Sequence, residues 1–203
     1  LSFKYGDLFR GKFRFLNNLT EGFVVAGKKK QSISIVDKQI VLVGELQKLD
    51  LGSVFSYGLF KEEGPGNFFI KDLLVEETNF SNLTLSKTRF SSLRAKGGVK
   101  YKFINEDLTG ILLVPEDDDK NLSFKFDFIK LKQTSTDSKD AFLSLFNSID
   151  YDFNFSSDAI FINNKNYGNW EFSIISETNQ LTLNNIKGVY GKWGLKDTSE
   201  GMS

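Results

Sequence analysis

The chain of 203 residues contains no cysteine and no histidine. Without cysteine there is no disulfide, no thiolate nucleophile and no cysteine-ligated metal, so the chain fits an oxidising or a reducing compartment equally. Without histidine, the commonest general base and the commonest transition-metal ligand are missing, and a Ser-His triad is excluded. The sequence therefore predicts no metal and no other cofactor.

A charge excess and a long hydrophobic run are also absent. Lys and Arg together number 26, as do Asp and Glu, so the formal net charge is zero. A nucleic-acid partner normally requires a basic excess, so we expect none. No stretch approaches the roughly 18 apolar residues of a membrane helix, and no signal peptide is visible. Because the chain opens at Leu1 inside a strand-like pattern, we expect it to be a segment of a longer protein.

Sequence signatures of the common enzyme classes are missing as well. There is no Gly-rich phosphate loop, no GxGxxG and no GxSxG. Carboxylate pairs of the kind that a glycosidase uses are formally present, but nothing distinguishes them from solvated strand ends. These pairs are Glu62 and Glu63, Glu76 and Glu77, and Asp150 and Asp152. We therefore expect a protein that is not an enzyme and has no catalytic residues.

Phenylalanine is abundant, with 21 residues, and apolar residues alternate with polar ones along most of the chain. Roughly a dozen runs follow this period of two, and Gly, Asn, Asp or Lys turns separate them. The pattern predicts a mostly β chain built on an extended antiparallel sheet, as one segment over residues 1–203. Charged runs at 26–31 and 115–121 are interpreted as turns between strands.

One stretch departs from the alternation. Apolar residues recur at helical spacing from Ala141 to Ile149, and either Asp137 or Ser138 is suited to cap the start. The spacing predicts one short amphipathic helix near 138–149.

Two segments, 73–86 and 160–173, resemble each other at an offset of 87 positions. Asn79, Asn82 and Ser86 are identical in the second segment, and the apolar positions correspond as well. The alternatives are a chance match in a chain rich in Asn and Ser, or a repeated hairpin. The matched apolar pattern favours the repeat, which is typical of a sheet that grows by adding hairpins.

Large apolar side chains share one face of several predicted strands. A closed β-sandwich or barrel would bury such a face in its core. A single curled sheet would leave it open and concave, which implies a hydrophobic ligand or partner. The candidate residues for this face are Leu83, Leu85, Phe124, Phe126, Phe128, Tyr151, Phe153, Phe155, Trp170, Phe172, Ile174, Leu181 and Leu183.

The second half of the chain resembles the AsmA-like proteins, and among them the YhdP branch. The resemblance lies in 108–131 and 148–195, where glycine, proline and tryptophan punctuate alternating strands in the family's order. The matching positions are Gly110, Pro115, Gly168, Trp170, Gly188 and Trp193.

The resemblance implies a function and a location that composition and periodicity do not. AsmA-like proteins are anchored in the inner membrane of Gram-negative bacteria and extend through the periplasm. They form a long β-groove with an apolar inside and carry phospholipid towards the outer membrane. This transport supports the integrity of the outer membrane. We therefore expect a sheet curled into an open hydrophobic groove that binds phospholipid or another acyl-chain ligand without catalysis. The alternative is a closed β-sandwich that serves as a structural or interaction module of a surface protein.

Overall fold

The described part of the chain folds into fifteen strands that all belong to one sheet. The structure is a computed structural model that describes residues 1–16, 19–28, 34–35, 38–51, 53, 68–80, 83–117, 119–131, 152–177, 180–191 and 193–196. In chain order the strands are β1 (Ser2–Tyr5), β2 (Phe9–Leu16), β3 (Leu19–Ala26), β4 (Ile40–Asp50), β5 (Phe68–Phe80), β6 (Leu83–Ala95), β7 (Gly98–Ile104), β8 (Leu108–Pro115), β9 (Leu122–Leu131), β10 (Phe153–Ser157), β11 (Ile160–Ile162), β12 (Lys165–Asn166), β13 (Asn169–Glu177), β14 (Gln180–Tyr190) and β15 (Trp193–Lys196).

Most strands lie beside their neighbours in the sequence. The main path runs from β1 to β10 and continues through β13, β14 and β15, while β11 pairs with β9 and β12 pairs with β11. Within the described residues, β1 pairs only with β2 and β15 only with β14, so the sheet is not closed. The predicted fold class, a mostly β chain with one extended curled sheet, is therefore confirmed.

The sheet is mixed rather than purely antiparallel. The pairs β3–β4, β4–β5, β9–β10 and β9–β11 are parallel, and the other described pairs are antiparallel. The alternating pattern did not predict this feature, because side chains alternate with a period of two in both kinds of strand.

Parallel neighbours require long connections, because the chain must return to the same end of the sheet. The three connections that do so on the main path are 27–39, 51–67 and 132–152. The helix predicted near 138–149 falls in the third connection, outside the described residues, and it stays a prediction.

The two similar segments, 73–86 and 160–173, turn at different points. In the first, Phe80 pairs with Leu83 at the tip of the β5–β6 hairpin. In the second, the turn lies at Asn163 and Asn164, whose φ angles of 49° and 65° are those of a two-residue type I′ turn. The positions that correspond to this turn in the first segment lie inside β5, so the similarity in sequence does not correspond to one shared hairpin.

One face of the sheet, here called the inner face, carries large apolar side chains from strand to strand. Its central row runs from Leu73 on β5 through Phe90, Phe103 and Gly110 to Phe126 on β9, each opposite the next. Cross-strand partners point to the same side of a sheet, so these residues form a continuous row across five strands.

The inner face is concave. In a flat sheet with a strand spacing of about 4.8 Å, β4 and β9 would lie about 24 Å apart. Leu42 and Leu46 on β4 nevertheless line the same cavity of about 260 Å³ as Phe124 and Phe126 on β9. The sheet must therefore curl so that these two strands face each other across the cavity.

The opposite side, or outer face, is mostly polar but has one buried patch at β3 and β4. Beside this patch the Glu21 side chain is only 1 % exposed. Its Oε2 accepts a hydrogen bond from the Lys38 backbone N–H at 3.0 Å, and Arg14 Nη1 lies 3.0 Å from its Oε1. These partners offset the cost of burying the carboxylate. The apolar residues of the patch are Val25, Val41 and Val43.

Candidate functional site

The curl of the sheet forms an apolar cavity of about 260 Å³ between β4 and β9, and this cavity is partly open to solvent. Six neighbouring strands contribute to its wall, so it is a product of the curl and not of any single hairpin. Its lining residues are Leu42, Leu46, Leu49, Leu51, Phe68, Ile70, Leu73, Phe80, Leu85, Thr88, Phe90, Tyr101, Phe103, Leu108, Leu112, Phe124 and Phe126.

Among the lining residues that the structure describes, only Thr88 and Tyr101 bring a polar side-chain atom, and none is charged. The Thr88 hydroxyl lies 3.4 Å from Asn105 Nδ2, which donates to it, so this oxygen already has a partner. Burial raises the pKa of Tyr101 to about 12, so its hydroxyl is neutral at physiological pH. The described part of the cavity wall therefore presents neutral groups.

A small polar network lies behind the cavity wall. Lys87 has a left-handed φ of 50°, and β5 and β6 lose one pair at this point, next to Ser86. The buried Asn105 side chain donates to the Ser86 carbonyl and accepts from Asp107 N–H at 2.7 Å. This single amide thus satisfies backbone groups that the irregular ladder leaves open, without adding charge to the inner face.

The inner face beyond the cavity is filled by aromatic rings. Phe155 and Phe172 stack with centroids 4.4 Å apart and planes within 12°. Phe126 lies 5.4 Å from Phe155, and Phe124 lies 5.4 Å from Phe153 in an edge-on arrangement. Each of these rings is nearly inaccessible to solvent, so β9, β10 and β13 form a packed aromatic cluster rather than an open channel.

The glycine and tryptophan shared with the AsmA-like pattern have a structural explanation in the last strands. Trp170 on β13 is the cross-strand partner of Gly188 on β14. A Cβ at Gly188 would lie 2.5 Å from Trp170 Cε3, so the indole covers the glycine and only glycine leaves room for it. Trp170 Nε1 donates to the Tyr167 carbonyl at 2.7 Å, which fixes the ring in this position.

The structure brings most of the predicted apolar residues together, in two environments. Three of them, Leu85, Phe124 and Phe126, line the cavity. The others that it describes on the inner face belong to the packed aromatic cluster or contact it. These are Leu83, Phe153, Phe155, Trp170, Phe172, Ile174 and Leu183.

Phe128 lies on the other face from Phe124 and Phe126. The pairing of β8 with β9 shifts by one residue between Thr109 and Gly110, so Phe128 faces Thr109 while Phe126 faces Gly110. After the irregularity Ile129 is the residue that points inward and is buried. The Lys130 Nζ lies 5.2 Å from the centroid of the Phe128 ring. The predicted run of three phenylalanines on one face is therefore interrupted.

Two further predicted residues stay untested. Tyr151 lies outside the described residues, and only the backbone of Leu181 is described, in β14 opposite Ser176.

The wall formed by β4 and β5 was not among the predicted site residues. Its alternating aliphatic residues were visible in the sequence, but they carry fewer rings than the second half and drew no functional interpretation. Their place opposite β9 depends on the curl, which no local pattern specifies. The missed residues include Leu42, Leu46, Leu49, Ile70 and Leu73.

Apolar side chains are partly exposed at one end of the inner face. Phe3 and Phe13 stack at 5.7 Å, and Phe15, which lies 6.4 Å from Phe13, is 61 % exposed. Phe9 on the same strand contacts the cluster around Leu73, so the apolar surface is continuous from β2 towards the cavity.

Groups that would indicate other chemistry are scarce in the described residues. They contain no cluster of acidic residues, histidine or cysteine suited to a metal ion, and no helix among them has the length and hydropathy to cross a membrane. Glu77, a member of one predicted carboxylate pair, contacts Lys48 at 2.7 Å, and this hydrogen bond lowers its pKa.

Comparisons with known proteins add no relatives. A scan against models of protein families, a search of curated proteins and a search of solved structures each return no match. The resemblance to the AsmA-like proteins therefore stays a prediction that rests on the residues quoted above.

Proposed function

We propose that this chain is a non-enzymatic lipid-binding segment that shelters acyl chains of phospholipid on the inner face of its curled sheet. The observation that supports the proposal best is the cavity of about 260 Å³, whose described lining residues include no charged side chain. A hydrophobic site of this kind favours an apolar ligand over a polar one, because a polar ligand would lose its hydration without gaining hydrogen bonds.

The energetics suit binding without chemistry. Each methylene moved from water into an apolar site contributes about 0.8 kcal/mol. Leucine, isoleucine and phenylalanine offer no directional contact that would hold one carbon in one place. A chain is therefore retained by its total length and slides along the wall at little cost.

The cellular role follows the resemblance. An AsmA-like segment would lie in the periplasm, within a longer protein anchored in the inner membrane. It would form part of a route for phospholipid between the inner and outer membranes, and loss of that route would impair outer-membrane integrity.

The alternative, a structural or interaction module built as a β-sandwich, needs a second sheet packed on the apolar face. The described strands form one sheet. Among the described residues β4 lies across the cavity from β9, and no second sheet covers the inner face there. This arrangement favours the groove.

A bulky substitution in the cavity tests the proposal. Leu46→Trp places an indole in the space between β4 and β9, whereas Leu113→Trp is the same exchange on the outer face of β8, where Leu113 alternates with the buried Leu112 and Val114. We expect native mass spectrometry to detect co-purified lipid on the wild type and on Leu113→Trp, with most of it lost from Leu46→Trp.

Circular dichroism spectra of both variants serve as the control for folding. Lipid-free wild-type protein that also takes up no added phospholipid would refute the proposal, and so would equal lipid occupancy in the two folded variants.

A further inference from the structure

We infer that the cavity accepts one hydrocarbon chain of about ten carbons and excludes the second chain of a diacyl lipid. The inference rests on the proposed function and specifies how much of a lipid enters. Three observations support it: the volume of the cavity, the direction of its lining, and its exposure at one end.

The volume limits the number of carbons. A cavity of about 150 Å³ lined by Leu, Ile and Phe holds one benzene molecule, which has six carbons. The cavity of about 260 Å³ between β4 and β9 therefore has room for on the order of ten carbons. Two acyl chains of a membrane phospholipid exceed that capacity severalfold.

The shape favours a linear ligand. The lining follows β4 from Leu42 to Leu49, a distance of roughly 23 Å at about 3.3 Å per residue. A small volume distributed along such a wall is a slot rather than a sphere. An extended alkyl chain advances roughly 1.3 Å per carbon for bonds of about 1.5 Å, so a chain of about ten carbons spans roughly 13 Å. Such a chain fits within the length of the slot, and the volume rather than the length sets the limit.

The polar end of the ligand stays outside. Phe68 lines the cavity and is 38 % exposed, so the cavity reaches the surface at the start of β5. The described lining residues include no charged group, and Phe68 is the most exposed of them. A headgroup inside would be desolvated without a charged partner among these residues, so the chain enters tail first, with Phe68 at the entrance.

A chain-length series tests the inference on the purified chain. Binding of saturated fatty acids from about four to about fourteen carbons is measured by calorimetry below their micellar concentrations. We expect the affinity to rise about fourfold per added methylene up to about ten carbons and to stay level beyond. Monoacyl and diacyl phosphatidylcholines of matched short chain length should then bind within about threefold of each other.

Leu46→Trp supplies a second measurement that does not depend on absolute affinity. The indole takes up part of the cavity volume, so the level part of the series should begin about two carbons earlier. The longest acids should then bind roughly sixteenfold more weakly than they bind the wild type, which agrees with the loss of co-purified lipid expected above. Leu113→Trp should leave the series unchanged.

The outcomes separate the two proposals. An affinity that keeps rising to the longest acids, or a diacyl lipid that binds about tenfold more tightly than its monoacyl counterpart, overturns the single-chain inference but leaves lipid binding intact. Failure of every apolar ligand to bind, at any length, overturns the proposed function itself.

Discussion

The two parts of the inner face share one sheet and one alternating pattern, yet one contains a cavity and the other is packed. On the wall of β4 and β5, the inward residues are mainly leucine, with a cavity of about 260 Å³ in front of them. On β9, β10 and β13 the inward residues are mainly phenylalanine, and neighbouring rings lie 4.4 to 5.4 Å apart.

The difference shows that filling a concave face depends on side-chain size at each register position. Phe124, Phe155 and Phe172 occupy directly opposed positions on three adjacent strands, so their rings fill the space under the curl. Across β4 and β5 the opposed pair Leu46 and Val75 is smaller, and the same curl leaves free volume. Alternation thus selects the face, and residue volume decides whether that face is a core or a site.

The largest expected effect is in the packed part. Phe155→Ala removes a ring that is 2 % exposed and stacks on Phe172, so we expect a loss of about 3 to 5 kcal/mol in the free energy of unfolding. Urea denaturation followed by circular dichroism measures it.

Leu46→Ala is the matched truncation in the cavity wall. Leu46 borders the cavity and is only partly buried, so its truncation loses fewer contacts. We expect the free energy of unfolding to fall by about 2 kcal/mol, at the low end for such truncations. If it destabilises the chain as much as Phe155→Ala does, the distinction between the two parts is wrong.

Gly110→Ala tests the boundary between the two parts. An added Cβ would lie 2.8 Å from the Lys125 carbonyl oxygen and 2.9 Å from both Phe103 Cε2 and Phe126 Cδ1, whose rings are 5.5 Å apart across the glycine. We expect a loss of about 1 to 3 kcal/mol from overpacking. A thermal melt of this variant that matches the wild type would show that the rings move apart freely.

The smallest effect concerns Tyr101 in the cavity wall, which has a pKa of about 12 because it is buried. Between about pH 10 and pH 12 the unfolded state releases this proton while the folded state keeps it, so stability falls as pH rises through that window. Tyr101→Phe should remove part of this decline, as measured by denaturation at several pH values. If the free energy of unfolding declines equally with pH in the wild type and in Tyr101→Phe, the Tyr101 hydroxyl is exposed to water in the folded state.

Much of the fold is legible in the sequence. The strand at 169–177 is evident from Trp170, Phe172 and Ile174, and it appears as β13 with these residues inward. The charged run at 115–121 does connect two strands, β8 and β9. Such features depend on residues that are close together in the chain. The period of two predicts the strands, and the turn residues predict where the strands end.

Phe128 shows where that reasoning stops. A one-residue shift between β8 and β9 moves it to the outer face, and a shift of one residue is invisible in the sequence of a strand that alternates throughout. The parallel steps at β4 and β10 escape prediction for a related reason, since alternation is the same in both directions.

The sequence by itself determined that this protein is a mostly β structure with one strongly apolar face, because composition and periodicity act through local geometry. Only the tertiary structure decided that leucines from β4 lie across from phenylalanines of β9, with a cavity between them. Curl and register bring together residues distant in the chain, and the volume left between them is a property of that arrangement alone.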